Sequence, residues 1–393
     1  MVNVEALDHN FRGIAKLNNK VVFINNALPN EIVELKITND KKNFMEADVL
    51  RYIKESEDRI VSKCPYYNEC GGCNLLHTTY EKGLEFKQNK VLNILNKYLN
   101  CDIKVNNIVR SDNEFNYRNK VTFHVNNKIG YFKDKSNDII EVNNCLLVNN
   151  KINDAIKYLS KLDLKNISEI TCRIGTDKLM IIITSKKDID ITSIKDISSS
   201  IYINDKLVYG DKNIYNTIGK YKFIISPSSF FQINNNVCKK LYDKIKEETI
   251  NSKNILDLYC GTGTIGIYVS ENKNVLGIEI NEEAIKDANI NKEINNIKNI
   301  SFICGDSGKE SKRINFNPDT VIVDPPRSGL NSLTINNILN MKPNKIIYVS
   351  CDIMTLVRDL NILKDKYAIK ELTPFDMFPQ TKHVESLCIL ERN

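Results

Sequence analysis

"NILDLYCGTGTIGIYV", Asn254 to Val269, is the stretch on which the fold turns. A strand-like run comes first, then glycines at 261, 263 and 266, then an apolar run with the look of a helix start. A strand, a Gly-rich turn and a helix with G-x-G-x-x-G spacing bring a nucleotide-like ligand against backbone N–H donors. Glu279 closes the next run, "VLGIEI", eighteen residues after Gly261, where a carboxylate reaches ribose hydroxyls. The motif does not choose the ligand. A dehydrogenase satisfies it equally well, and the glycines alone describe a tight turn.

The residues downstream narrow the choice. From about residue 231 to the end, strand and helix patterns alternate, as in an open, mostly parallel α/β sheet. The third run, "ISFICGD", ends in Asp306. The fourth, "TVIVDPPRSGL", leads into Asp324-Pro325-Pro326-Arg327, and the fifth, "KIIYVSCD", stops at Cys351. In a doubly wound sheet the C-terminal ends of strands gather round one crevice. Glu279, Asp306, Asp324 and Cys351 are therefore expected to face the same site. An acidic residue after each of three successive strands suits adenosine and a cationic sulfonium better than a pyrophosphate. Two prolines stiffen the loop after Asp324. The segment resembles the S-adenosylmethionine-dependent methyltransferases.

Cys351 then becomes the question. A free cysteine at a strand end is ordinarily a small buried hydrophobe. Amino-methyltransferases place an aromatic after D-P-P, and Arg327 stands there instead. Carbon methylation of a pyrimidine needs a thiolate, because C5 of uracil is too weak a nucleophile until a thiolate adds at C6. A base must then remove the C5 proton so that the thiol can leave. Glu385 in "HVESLCILER" is the candidate base, and His383 either orients it or replaces it.

Upstream, residues 1–54 read as short strands separated by turn residues, the pattern of a small β-barrel. Residues 55–230 mix a cysteine cluster, a helical stretch and further strands. Residues 231–393 hold the α/β sheet. The 393-residue chain carries a net charge of +6. Residues 1–63 hold ten basic and ten acidic side chains and residues 231–393 twenty-one of each, so the excess lies in residues 64–230. That excess permits an anionic partner. No apolar run approaches a membrane span, and the N-terminal residues lack a signal-peptide pattern, so a soluble cytoplasmic protein is expected. A monomer is expected too. The eleven cysteines then point to reduced thiols, metal ligands or catalysis. "CPYYNECGGC" sets Cys64, Cys70 and Cys73 on a Gly-rich loop, with Cys145 or His77 as a fourth candidate ligand. The spacing accommodates zinc or an iron–sulfur cluster.

Over its full length the chain resembles the RNA uracil-5-methyltransferase family, in its TRAM-domain, iron–sulfur-containing branch that acts on 23S ribosomal RNA. The resemblance implies a Rossmann-like class I methyltransferase domain, an OB-like TRAM barrel over 1–54 and a mixed α+β central domain. It implies S-adenosyl-L-methionine as methyl donor, bound by Gln232 of "SFFQIN" and by Tyr259, Gly261, Gly263, Glu279, Asp306 and Asp324. It implies a [4Fe–4S] cluster on Cys64, Cys70, Cys73 and Cys145, with Cys351 as nucleophile and Glu385 as proton acceptor. Phe230 or Phe231 is a candidate to stack on the flipped base. Two positions depart from the family pattern: Leu76, where glutamine is common, and Asp352, where asparagine is common. The tRNA-specific branch of the family is the alternative, and an amino-methyltransferase of RNA the more distant one.

Overall fold

The computed structural model describes residues 1–99 and 101–393 and resolves into two compact units. The first comprises Met1–Lys90, Phe132–Ile140 and Phe378–Lys382, and the second Val91–Tyr131, Glu141–Met377 and His383–Asn393.

In the first unit, six strands between Val2 and Lys54 form one sheet. Alternating residues point inward, and Val4, Ala15, Val22, Ile24, Val33 and Ala47 fill the core. The N-terminal segment closes the sheet on itself. Val2 pairs with Val33 on one side, while Glu5 donates its N–H to the Ile14 carbonyl on the other. Closure leaves few unpaired edges. Glu31, fully buried, accepts from Leu28 N at 2.8 Å and from Arg59 Nη2 at 2.9 Å, so its charge is compensated. Arg59 in turn lies 4.2 Å from the centre of the Tyr52 ring.

The second unit holds most of a seven-stranded mixed sheet running from Lys120–Val125 through Ile167–Ile174 and Leu179–Ser185 to the edge strand Lys206–Gly210. Helix Asn150–Leu159 covers it with Ile152, Ala155, Ile156 and Leu159, an i, i+3, i+4 stripe.

The sheet that matters for function lies further on in the same unit. Its strands are β1 (Asn254–Leu258), β2 (Asn274–Glu279), β3 (Ile300–Cys304), β4 (Thr320–Val323), β5 (Lys345–Ser350), β6 (Tyr367–Phe375) and β7 (Glu385–Arg392). Their order is β3-β2-β1-β4-β5-β7-β6, with the short strand Lys104–Val105 beside β6. The first five strands are parallel, and β7 runs antiparallel to both β5 and β6. Chain order reverses between β1 and β4, the switch point at which open α/β sheets bind ligands. Helices α1 (Asn235–Glu248), α2 (Thr264–Val269), α3 (Glu282–Ile294), α4 (Ser307–Arg313), α5 (Ser332–Met341) and α6 (Ile353–Leu363) connect or flank the strands. Near-continuous apolar runs such as Val321–Val323 and Ile346–Val349 are buried on both faces, as parallel strands between helix layers must be. This is the class I methyltransferase architecture, accompanied by an N-terminal β domain.

Candidate active site

The turn after β1 is built around backbone angles that ordinary residues avoid. Gly261 and Gly263 have φ of +55° and +74°, and a Cβ on Gly263 would lie 2.6 Å from the Phe302 ring. Tyr259 shares the left-handed region with φ of +63°, and its hydroxyl lies 3.2 Å from Thr334 Oγ1. Glu279, at the end of β2, accepts from Gly261 N at 3.1 Å and from Asn281 N at 2.9 Å, so the carboxylate is tied to the glycine turn itself. Asp306, after β3, caps α4 by accepting from Lys309 N at 3.0 Å.

Strand register gathers the remaining candidates. The antiparallel ladder of β5 on β7 ends where Ser350 pairs with Ser386, so Cys351 and Glu385 are the residues next to its last pair on either strand. Val323 of β4 pairs with Tyr348 of β5, which brings Asp324 level with the last residues of β5. Glu385 is 3% exposed. Burial raises its carboxyl well above the usual range; neighbouring Asp324 adds to the rise and Arg327 opposes it. Burial raises Asp324 as well. The Cys351 thiol is pushed up to about 11 by burial first, then by Glu385 and Asp324, while Arg327 pulls it down. Asp352 caps α6 through bonds from Met354 N at 2.9 Å and Thr355 N at 3.2 Å. The cap accounts physically for this departure from the asparagine pattern, because Asn and Asp cap helices about equally well.

The "SPSSFFQIN" segment is fastened at both ends. Arg173 Nη1 donates to the Ser226 carbonyl at 2.7 Å and the Pro227 carbonyl at 3.1 Å, and Ser226 Oγ donates to Asp287 of α3 at 2.5 Å. At the other end Asn119 Nδ2 donates to the Gln232 carbonyl at 2.8 Å. Gln232 and Phe231 are buried, Phe231 against Phe223, while Phe230 is 68% exposed. The two phenylalanines therefore divide: Phe231 is core, and Phe230 is on the surface.

Sequence reasoning passed over Arg173, Asp287 and Asp257. Asp257, fully buried in β1, accepts from Gly266 N at 3.0 Å, and burial pushes its carboxyl up to about 8. A carboxylate inside an apolar strand was a readable signal for Asp257. Nothing local marked Arg173, since its partners lie more than fifty residues away.

Cys64, Cys70 and Cys73 are half-buried in the first unit, and Cys145 belongs to the second. Thiolates on a Gly-rich turn are the right donors for a soft metal or a cluster, and the Gly72 position, where a Cβ would lie 3.4 Å from Cys70 Sγ, leaves the sulfur room. Among the described residues no three Cys, His, Asp or Glu side chains are grouped as a ready metal site. Cys145 exchanges hydrogen bonds with Asn153, its N–H donating to Asn153 Oδ1 at 2.9 Å. His77 is buried, with Nδ1 bonded to the Tyr67 hydroxyl at 2.5 Å, and burial pushes its imidazole down to about 3. Leu76 is buried beside it.

Comparison with known proteins gives consistent results. Residues 176–393 match the family model described as tRNA (Uracil-5-)-methyltransferase, and residues 1–50 match the TRAM domain. An uncharacterised RNA methyltransferase of Staphylococcus aureus strain MSSA476 is 34% identical over 433 residues, spanning 98% of this chain and 96% of the relative. Another from Halalkalibacterium halodurans is 33% identical over 440 residues, spanning 99% and 96%. Among solved structures, Pyrococcus abyssi tRNA (uracil-54, C5)-methyltransferase in complex with S-adenosyl-L-homocysteine superposes with a TM-score of 0.82 at 29% identity, covering 99% of this chain and all of that one.

Proposed function

The chain belongs to the S-adenosylmethionine-dependent RNA uracil-5-methyltransferase family, and on that premise we propose that it methylates C5 of a uridine in 23S ribosomal RNA through Cys351 and Glu385. The observation that carries the reading is the β5–β7 ladder ending at Ser350–Ser386, which leaves Cys351 and the buried Glu385 side by side at its end, with the Asp324 charge acting on both. Cys351 adds to C6 of the flipped uracil, and the C5–C6 electron pair becomes an enolate with its carbon terminus at C5. That carbon takes the methyl group, and S-adenosylhomocysteine departs. Glu385 then accepts the C5 proton, the C5–C6 double bond re-forms and the thiolate leaves. A carboxyl held neutral by burial must ionise before it can act as a base. The donor's sulfonium beside Asp324 favours ionisation, because an opposite charge reverses part of the burial cost.

In this reading Gly261, Gly263, Glu279, Asp306, Asp324, Tyr259 and Gln232 hold the methyl donor, and Phe230 stacks on the target base. Residues 1–54 form the RNA-binding barrel, 55–230 the RNA-recognition domain and 231–393 the catalytic domain. Cys64, Cys70, Cys73 and Cys145 would hold a [4Fe–4S] cluster that orders the RNA-facing segment and supplies no step of the transfer.

A tRNA substrate is the second reading, and one observation favours it. A tRNA (uracil-54, C5)-methyltransferase superposes along its whole length on 99% of this chain. A fold shared over this whole length therefore does not by itself separate the two substrates. Incubating the enzyme with labelled methyl donor and either 23S ribosomal RNA or bulk tRNA, each lacking the modification, decides between them. 5-Methyluridine confined to ribosomal RNA supports the first reading, and its confinement to tRNA replaces it with the second.

A further inference from the structure

Arg327 is the one residue of the D-P-P-R loop to which the reaction as described gives no task. Its backbone is held with unusual care. The loop leaves β4 at Asp324 and is stapled along its length to α6, the helix that begins two residues after Cys351. Thr355 Oγ1 donates to the Arg327 carbonyl at 3.1 Å, and Arg358 Nη2 donates to the Ser328 and Leu330 carbonyls at 2.9 and 3.0 Å. Leu330 N donates to Asp359 Oδ2 at 2.8 Å, and the Tyr348 hydroxyl of β5 donates to the same oxygen at 2.7 Å. Gly329, with φ of +73°, lets the chain pass so close to Arg358 and Asp359 that a Cβ would collide with both. Asp359 is fully buried, so the bonds it accepts from Leu330 N and the Tyr348 hydroxyl are made in a dry setting where they hold position well.

The side chain is treated in the opposite way. Among the described residues the Arg327 guanidinium makes no hydrogen bond and no ion pair, and the residue is exposed. A fixed backbone carrying an unengaged cation near a half-buried nucleophile and a buried base is an arrangement prepared for charge that appears during the reaction. Thr355 Oγ1 lies 3.1 Å from the Arg327 carbonyl and 3.1 Å from the Asp352 carbonyl, so Arg327 and the residue after Cys351 share one hydroxyl. Four charged groups act on the Cys351 thiol: Glu385 at the head of β7, Asp324 after β4, Asp352 at the α6 cap, and Arg327. Three are carboxyls, and Arg327 is the single cation.

We propose that Arg327 is a further catalytic residue, its guanidinium stabilising the uracil enolate oxygen that develops when Cys351 adds to C6. The inference rests on the uracil-C5 reading above. In the step, the thiolate's electron pair forms the S–C6 bond, and the C5–C6 pair moves toward C4, so that O4 gains negative charge opposite the guanidinium. When C5 takes the methyl group, that charge is withdrawn to carbon and the S–CH₃ bond of the donor breaks. Loss of the C5 proton to Glu385 restores the ring and expels the thiolate.

The test uses full-length enzyme, wild type and the variants Arg327→Gln and Arg327→Lys, with RNA that the wild type methylates. Arg327→Gln should lower kcat by about 10²–10³-fold, as loss of one oxyanion donor does, while KM for RNA moves by no more than about threefold. Arg327→Lys should recover part of the loss. In the absence of RNA, the pH at which iodoacetamide half-labels Cys351, read by peptide mass spectrometry, should rise in Arg327→Gln and not in Arg327→Lys. A loss confined to KM for RNA would make Arg327 a phosphate contact and overturn the proposal, as would an unchanged kcat. Should the wild type place no methyl group on uracil C5, the underlying reading fails instead, and the proposal with it.

Discussion

At the scale of single residues, the candidate site is one buried carboxyl, Glu385, with a half-buried carboxyl, Asp324, and a half-buried thiol, Cys351, all shifted toward their protonated forms. Cys351 is held near 11 by burial and by Glu385 and Asp324, so in the absence of substrate its thiolate fraction at neutral pH is small. Alkylation of Cys351 in the free enzyme should keep accelerating up to about pH 11. A plateau below pH 8 would show a thiol not held by these carboxyls. Asp352 offers a cleaner change. Asp352→Asn keeps the helix cap and removes one like charge from beside the thiol, so Cys351 labelling should speed up at fixed pH while the melting temperature stays put. Asp352→Ala, which loses the cap, should cost about 1 kcal/mol by denaturant titration. The strand-end positions of Glu279, Asp306, Asp324 and Cys351 were legible in the sequence because each ends an apolar run. Asp324 and Cys351 come to the same end of the sheet as Glu385 through the registers of β4 on β5 and of β5 on β7, and the sequence carries no mark of register. Glu385 was found through the chemistry that a nucleophilic cysteine demands.

At the scale of elements, two buried polar side chains hold the site's supports. Arg173, in strand Ile167–Ile174, fastens the Ser226–Pro227 backbone, from which Phe230 and Gln232 follow. Replacing it with methionine keeps much of the volume but leaves two carbonyls without that donor. We expect a loss of about 2–3 kcal/mol in chemical denaturation, at the upper end for a buried acceptor left unsatisfied. Asp257 gives a pH signature. Its folded carboxyl sits at about 8, above the unfolded value near 3.8, so folding binds a proton between those limits. The associated stability is fully present below the unfolded value and is lost as pH rises through about 8. Asp257→Asn, which preserves an acceptor for Gly266 N, should therefore flatten the decline in stability between pH 5 and 8. An unchanged slope would place the proton elsewhere. The sequence showed the β-strand-rich N-terminus and the alternating C-terminal elements through their periodicities. It could not show that Val2–Leu7 closes the first sheet, since closure depends on pairing between segments distant in the chain.

For the whole molecule, the proposed function joins RNA binding, a methyl donor and a covalent adduct in one chain. The net positive charge lies in residues 64–230, so affinity for substrate RNA should fall steeply with salt, as it does when lysines and arginines displace phosphate counterions. A flat salt profile in filter binding would remove that segment from RNA contact. If the cysteine segment holds a cluster, anaerobically purified protein should contain about four irons and four sulfides per chain, and Cys70→Ala should lose them. Zinc in their place would identify a structural zinc site. The most direct measurement is mass spectrometry of the protein incubated with S-adenosylmethionine and substrate RNA carrying 5-fluorouridine, comparing wild type with Cys351→Ala. Fluorine at C5 cannot leave as a proton does, so the account predicts a trapped, methylated RNA adduct on the peptide containing Cys351, absent from the variant. No adduct in the wild type, with methyl transfer continuing in Cys351→Ala, would contradict it.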